Sequence, residues 1–197
     1  MYVSALLLGC SSFLQADVTI SKKDNGDFII RIDGELFTEY RHQGVNVPCF
    51  YPVIGPEKVA MTRKYPLEDG GAGEAKDHPH HTSLWYAHGD VNGLDFWHGA
   101  FEDEKGGKIV HAETISRQNG EDSATLTTKG KWLANKEDQE VCQETRIMTF
   151  GNTASRGRFI DMTLMVHATQ GDVIFGDTKE GSMAIRTHPQ LRLKGDV

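Results

Sequence analysis

Five of the nine histidines, His78, His80, His81, His88 and His98, fall within 21 residues, in company with Asp77, Trp85, Tyr86, Asp90, Asn92, Asp95 and Trp97. Imidazole titrates closest to neutrality of the side chains and is a common metal ligand, so this density points to proton handling, metal binding or polar ligand contact. On extended chain, residues i and i+2 project to one side, and Pro79 favours extended backbone at His78. His78 and His80 are therefore expected to converge, with His81 directed away. Two imidazoles so placed could form half of a metal site, completed by Asp77, His88, His98, Glu180 or His188. They could equally exchange protons with a bound polyol, or simply be satisfied by backbone carbonyls.

A second constellation, Asp177-Thr178-Lys179-Glu180-Gly181, follows the apolar triplet Val173-Ile174-Phe175. A partly desolvated carboxylate there could serve as a general acid or base, and Arg186 could pair with Glu180 or anchor an anionic group. The alternative is a charged surface turn. Trp85, Tyr86, Trp97 and Trp132 could stack on sugar rings or fill a core, and Trp97 beside His98 is the best candidate for a site aromatic. Asp90 to Asp95 resembles a calcium loop only superficially. An EF-hand needs Gly sixth and Glu twelfth, where this chain has Asp95 and Phe101, and a hairpin turn explains Asn92-Gly93 more simply. No Gly-x-Ser-x-Gly elbow, nucleophilic cysteine context or dinucleotide glycine pattern is present.

Those groups must be positioned by strands. Asp24-Asn25-Gly26 and Asp33-Gly34 separate three β-prone runs, Val18–Lys23, Phe28–Ile32 and Glu35–Tyr40, as in a meander. Residues 41–76 read as irregular, broken by Pro48, Pro52, Pro56 and Pro66 and by the Gly70–Gly73 loop. Asn92-Gly93 is expected to join strands Ser83–Val91 and Leu94–His98. Further strands are expected at Ile109–Ser116, Ala124–Leu133, Glu140–Phe150, Arg158–Ala168 and Asp172–Phe175, with turns at Asn119-Gly120 and Gly151-Asn152. No segment sustains a 3.6-residue period, so the expected fold is an all-β antiparallel sandwich. The alternation of Ser182 to Lys194, running into Gly195-Asp196-Val197, reads as a sheet that continues beyond this chain.

The 197 residues can form one domain with a substantial core. A formal charge of −7 and no basic stripe argue against nucleic-acid binding. Mean hydropathy is −0.45, and no apolar run approaches the roughly 20 residues that span a bilayer. The first 16 residues differ: Val3 to Gly9 is apolar and Leu14-Gln15-Ala16 resembles a signal cleavage site, giving a leader over 1–16 and a single domain over 17–197. Leu7-Leu8-Gly9-Cys10 also resembles a lipobox, which would make Cys10 a lipid anchor; a buried apolar strand is the remaining alternative. Cys49 and Cys142 form an even pair that could bond in an oxidising compartment or remain two buried thiols.

Met61-Thr62-Arg63-Lys64-Tyr65-Pro66, Asp77 to Tyr86, His88 to Gly93 and Asp95-Phe96-Trp97 together resemble the bacterial proteins called the PmoA family, and Asp177 to Gly181 with Ile185-Arg186 resembles its second motif. The methane monooxygenase subunit of that name is an integral membrane protein, unlike this chain. The resemblance implies a galactose-mutarotase-like sandwich in bacteria that degrade polysaccharides, exported to the periplasm or cell surface and acting on a sugar or glycan by acid/base chemistry. It implies His78, His80 or His81 on the acid side and Glu180 on the base side. Arg63 and Arg186 would be anchors, Trp97 a platform, and His88, Asp90, Asn92 and Lys179 substrate contacts. No cofactor is expected. A metal enzyme using His78 and His80 is the runner-up, and a non-catalytic carbohydrate-binding module the third reading.

Overall fold

The computed structural model describes residues 17–99, 105–153, 155 and 157–193, so the Cys10 lipobox and the cleavage site after Ala16 lie outside the described residues. Among the described residues ten strands follow one another: β1 Val18–Lys22, β2 Phe28–Ile32, β3 Glu35–Arg41, β4 Cys49–Val53, β5 Leu84–Tyr86, β6 Gly107–Gln118, β7 Ser123–Ala134, β8 Glu140–Asn152, β9 Arg158–His167 and β10 Met183–Ile185. They form a six-stranded sheet, β1-β2-β3-β4-β5-β10, and a four-stranded sheet, β6-β7-β8-β9. Every ladder between these strands is antiparallel, and the two sheets make the expected β-sandwich.

The turn chemistry explains the first meander. Asp33 (φ 53°) and Gly34 (φ 76°) both take the left-handed conformation that a two-residue hairpin requires. β7 alternates buried and partly exposed residues along nearly its whole length, placing Ala124, Leu126, Thr128, Gly130, Trp132 and Ala134 inward. One core cluster joins Ile20, Phe28, Ile30, Phe37, Tyr40 and Phe50 of the first sheet to Leu126, Met148 and Phe150 of the second. Burying each such side chain contributes about 1.5–3 kcal/mol. A second cluster, with Cys49, Trp85, Val91, Phe96, Trp97, Ile109, Trp132 and Cys142, fills the other end of the sandwich and lies under the histidine-rich segment. Cys49 and Cys142 are free buried thiols, each with its pKa pushed up to about 12 by burial.

Four expectations about elements need correction. Asp172–Phe175 is no strand: only Phe175 makes a single bridge, to Val91. Residues 41–76 contain a true strand, β4, because Pro52 sits where its missing donor costs little. On β4, β5 pairs only with Cys49 and Phe50, and the β3 ladder is irregular between Thr38 and Tyr40. Around Asn92 (φ 54°) and Gly93 (φ 79°) the tight turn exists, but its flanks do not form two long strands. Val91 and Leu94 exchange both backbone hydrogen bonds, and Val91 bridges Phe175 instead of extending a hairpin. Finally, β8 runs through Gly151-Asn152 in register with Phe159 and Arg158, so the turn falls after it.

Candidate active site

The histidine-rich run is a turn rather than a strand. His78 has φ 47°, Pro79 and His80 occupy the corner, and the His81 N–H donates to the His78 carbonyl at 3.0 Å. Alternation holds only on extended chain, so the expected convergence of His78 and His80 with His81 excluded is not what forms. His81 stacks between His78 (4.7 Å between centroids, 13°) and Trp85 (5.1 Å, 28°), while His80 meets His98 at 4.5 Å.

Arg63 and Arg186 hold this turn. Arg63 is 3 % exposed, and its guanidinium donates to the Ala75 carbonyl (2.8 Å), the Asp77 carboxylate (2.9 Å), the Asp77 carbonyl (2.8 Å) and the His78 carbonyl (3.3 Å). Arg186 donates to the same Asp77 oxygen at 2.7 Å and to His81 Nδ1 at 3.2 Å. Arginine only donates, so His81 accepts at Nδ1 and carries its proton on Nε2. His78 Nδ1 closes the group on the other Asp77 oxygen at 2.9 Å. Hydrogen bonds from Arg63, then from His78 and Arg186, hold the Asp77 carboxyl well below the usual carboxylate range. Arg63, read from sequence as a substrate anchor, is thus spent on the protein's own backbone.

Beside the turn lies a cleft of about 350 Å³ whose lining includes Asn46, Leu67, Pro79, His80, Trp97 and His98. Trp97 is 5 % exposed and packs against Trp85 (5.1 Å) and His81 (6.1 Å). It contributes a wall of the cleft, not the open platform expected of it. His98 is oriented by Asp95, whose carboxylate lies 2.7 Å from His98 Nδ1. The Glu180 carboxylate is within electrostatic reach of His80, so the two sequence constellations do approach one another. Lys179 is exposed and pairs with Glu180 at 3.2 Å.

The remaining candidates position chain segments. His88 donates from Nε2 to the Gly176 carbonyl and accepts at Nδ1 from the Ser182 hydroxyl, both at 2.9 Å, so neither nitrogen is left for a ligand. Asn92 receives the Ile174 N–H (2.8 Å) and donates to the Asp172 carbonyl (3.0 Å). Asp90 accepts the Gly93 N–H at 2.9 Å and lies against Gly176, where any side chain would collide with its carboxylate. These contacts dock the 172–182 segment, which carries Glu180, against His88, Asp90 and Asn92. His188 caps the short turn 189–191 and borders a different cleft with Lys64 and Glu74. Among the described residues, no group of three or more His, Cys, Asp or Glu side chains is arranged to hold a metal ion.

Two imidazoles of the site, His80 and His81, are neutral at pH 7. Burial, then His98 and His78, pushes His80 down to about 4, and burial, then His80, His78, Arg186 and Arg63, does the same to His81. A second stacked pair, His42 and His111 (4.0 Å), sits between β3 and β6; burial and His42 bring His111 to about 4, and burial lowers His42. Unfolded histidine protonates near 6.5, so between that pH and about 4 the unfolded chain binds more protons than the folded one. Stability is therefore complete above the upper value and falls as the pH drops through this window. The urea midpoint is expected to decline steadily from pH 7 to 4.5, less so in His111→Phe; a flat midpoint would contradict the neutral, half-buried imidazoles.

The fold and site together define an antiparallel β-sandwich with an imidazole-walled cleft at one end. Residues 28–197 match the model of a family of unknown function (DUF6807), and the chain belongs to that family. No curated protein and no solved structure matches it. Asp95 is the site residue that sequence reasoning left without a role; its signal was the Asp-x-x-His spacing to His98, which places both side chains on one turn.

Proposed function

We propose that this is an exported carbohydrate-active protein that performs acid/base chemistry on a sugar or glycoside bound in the cleft. On this reading it is related in architecture to mutarotase-like sandwiches and to the proteins called the PmoA family. One observation carries the reading: two imidazoles, His80 and His98, and Trp97 line one concave surface, and the Glu180 carboxylate acts electrostatically on His80. A polyol needs that mixture, because proton acceptors meet its hydroxyls while apolar walls meet its C–H faces. His80 is neutral at pH 7, so it suits accepting a hydrogen bond or a proton rather than acting as the acid that resemblance alone implied. Glu180 supplies a second proton-transfer group on the docked segment.

Calorimetric binding and polarimetric turnover over a panel of mono- and oligosaccharides test this. Glu180→Gln should retain binding and lose about 100-fold or more in kcat, the scale of a positioned acid or base. Binding without turnover in the wild type would favour a carbohydrate-binding module instead. No binding and no conversion of any sugar would overturn the reading.

A further inference from the structure

Among the five clustered imidazoles, only one lines the cleft and is also held by a carboxylate. His88 has both nitrogens occupied, and His81 is covered on its faces by His78 and Trp85 and engaged at Nδ1 by Arg186. His78 turns to Asp77 and is not part of the cleft wall. His80 lines the cleft next to another imidazole, without a hydrogen-bonded carboxylate of its own. His98 differs from all of these.

Asp95 is fixed before it touches His98. Its backbone N–H donates to the Lys105 carbonyl (2.8 Å) and its carbonyl accepts from Gly107 (2.9 Å). One carboxylate oxygen accepts the backbone N–H groups of Trp97 (2.8 Å) and His98 (2.9 Å), and the other faces His98 Nδ1 at 2.7 Å. A carboxylate only accepts, so the neutral imidazole must carry its proton on Nδ1, which leaves the acceptor lone pair on Nε2, with no hydrogen-bond partner among the described residues. The same carboxylate stabilises the imidazolium formed when Nε2 takes a second proton.

We propose that His98, oriented by Asp95, is the residue that takes and returns the proton in this cleft, with His80 as its neutral hydrogen-bonding neighbour. The proposal rests on the reading that the cleft does acid/base work on a sugar. A substrate hydroxyl loses its O–H bond to His98 Nε2, leaving an alkoxide and an imidazolium paired with the Asp95 carboxylate. The N–H bond then breaks toward whichever sugar oxygen carries the negative charge at the end of the step, and His98 returns to its neutral form. Proton and charge balance without a further reactant. Asp95 is a positioning residue and His98 the catalytic one. Among the described residues, the charged and titratable groups facing this pair are His80 directly and, through His80, His78 and Glu180.

Long-range ¹H–¹⁵N spectra of the full chain read the His98 tautomer with no ligand. The wild type should show the Nδ1–H form, and Asp95→Asn should shift it toward the Nε2–H form while far-UV circular dichroism stays unchanged. In polarimetry on reducing sugars, His98→Gln should lose about 100-fold or more in kcat and Asp95→Asn about tenfold or more, with KM little changed, whereas His80→Gln should lose less than His98→Gln. A wild-type Nε2–H tautomer, or a His98→Gln variant that turns over sugar like the wild type, overturns the assignment. If the wild type converts no sugar, the sugar reading fails by itself. The tautomer then decides the dyad: Nδ1–H supports it and Nε2–H ends it.

Discussion

Glu144→Ala is expected to cost about 3–5 kcal/mol of stability, the scale for breaking a buried ion pair by removing one partner. Glu144 and Arg146 are each 1 % exposed and face one another on β8. Glu144 also accepts the indole N–H of Trp132 at 2.8 Å, and it lies over Gly130, where a Cβ would come within 2.7 Å of its oxygen. Without Glu144 the Arg146 guanidinium is left charged in the core with nothing to balance it. Folded domains have only about 5–15 kcal/mol in total, so the variant should lose about a fifth or more of its stability. Glu144→Leu with Arg146→Met removes both charges and should recover most of the loss, because isosteric apolar replacement of such a pair is often neutral. Equilibrium urea unfolding followed by tryptophan fluorescence measures both. A Glu144→Ala midpoint equal to that of the wild type would show that the pair stabilises nothing.

The same residues show what the sequence could and could not reveal. The inward face of β7 was legible because alternation is a local property, and Trp132 falls on it by counting twos. Its partner was not, since the pairing of Trp132 with Cys142 and of Gly130 with Glu144 depends on the β7–β8 register. The Asp33-Gly34 turn was legible from two residues, because only a positive φ at both positions closes that hairpin. β4 was hidden by Pro52, whose tolerance depends on what neighbouring strands leave unpaired. The free thiols of Cys49 and Cys142 lie in one core cluster, a fact that spacing along the chain cannot carry.

The site was legible in composition and misread in geometry. The histidine density pointed to the stretch whose imidazoles gather in one cluster beside a cleft. Yet the period of two was applied to a segment whose backbone reverses at His78, and the division of labour came out inverted. His81 stacks between His78 and Trp85, and His80 meets His81 edge-on and His98 at a tilt. What reverses the chain is a charge cluster contributed from 14 and 109 residues away, Arg63 and Arg186 converging on Asp77. Such long-range pairing leaves no trace in local pattern, which is why both arginines looked like free anchors.

Arg63→Lys should therefore behave as a severe substitution despite keeping the charge. The guanidinium reaches four acceptors between Ala75 and His78 with two nitrogens in a rigid plane. An ammonium on a flexible stem cannot span that set, and the carbonyls it abandons lose part-buried hydrogen bonds worth about 1.5–3 kcal/mol each when the donor is charged. A net loss of about 2–4 kcal/mol is expected, since the Arg186 contact to Asp77 survives. The loss should be concentrated in the turn rather than spread over the sheets. Amide exchange separates the two: the His81 N–H should exchange at least tenfold faster in Arg63→Lys, while β7 and β8 amides keep their protection relative to global stability. Any turnover in the cleft should fall with it, because Pro79 and His80 take their place on the cleft wall from the geometry Arg63 enforces. If the His81 amide stays as protected as in the wild type, the turn holds itself and Arg63 is not what shapes the site.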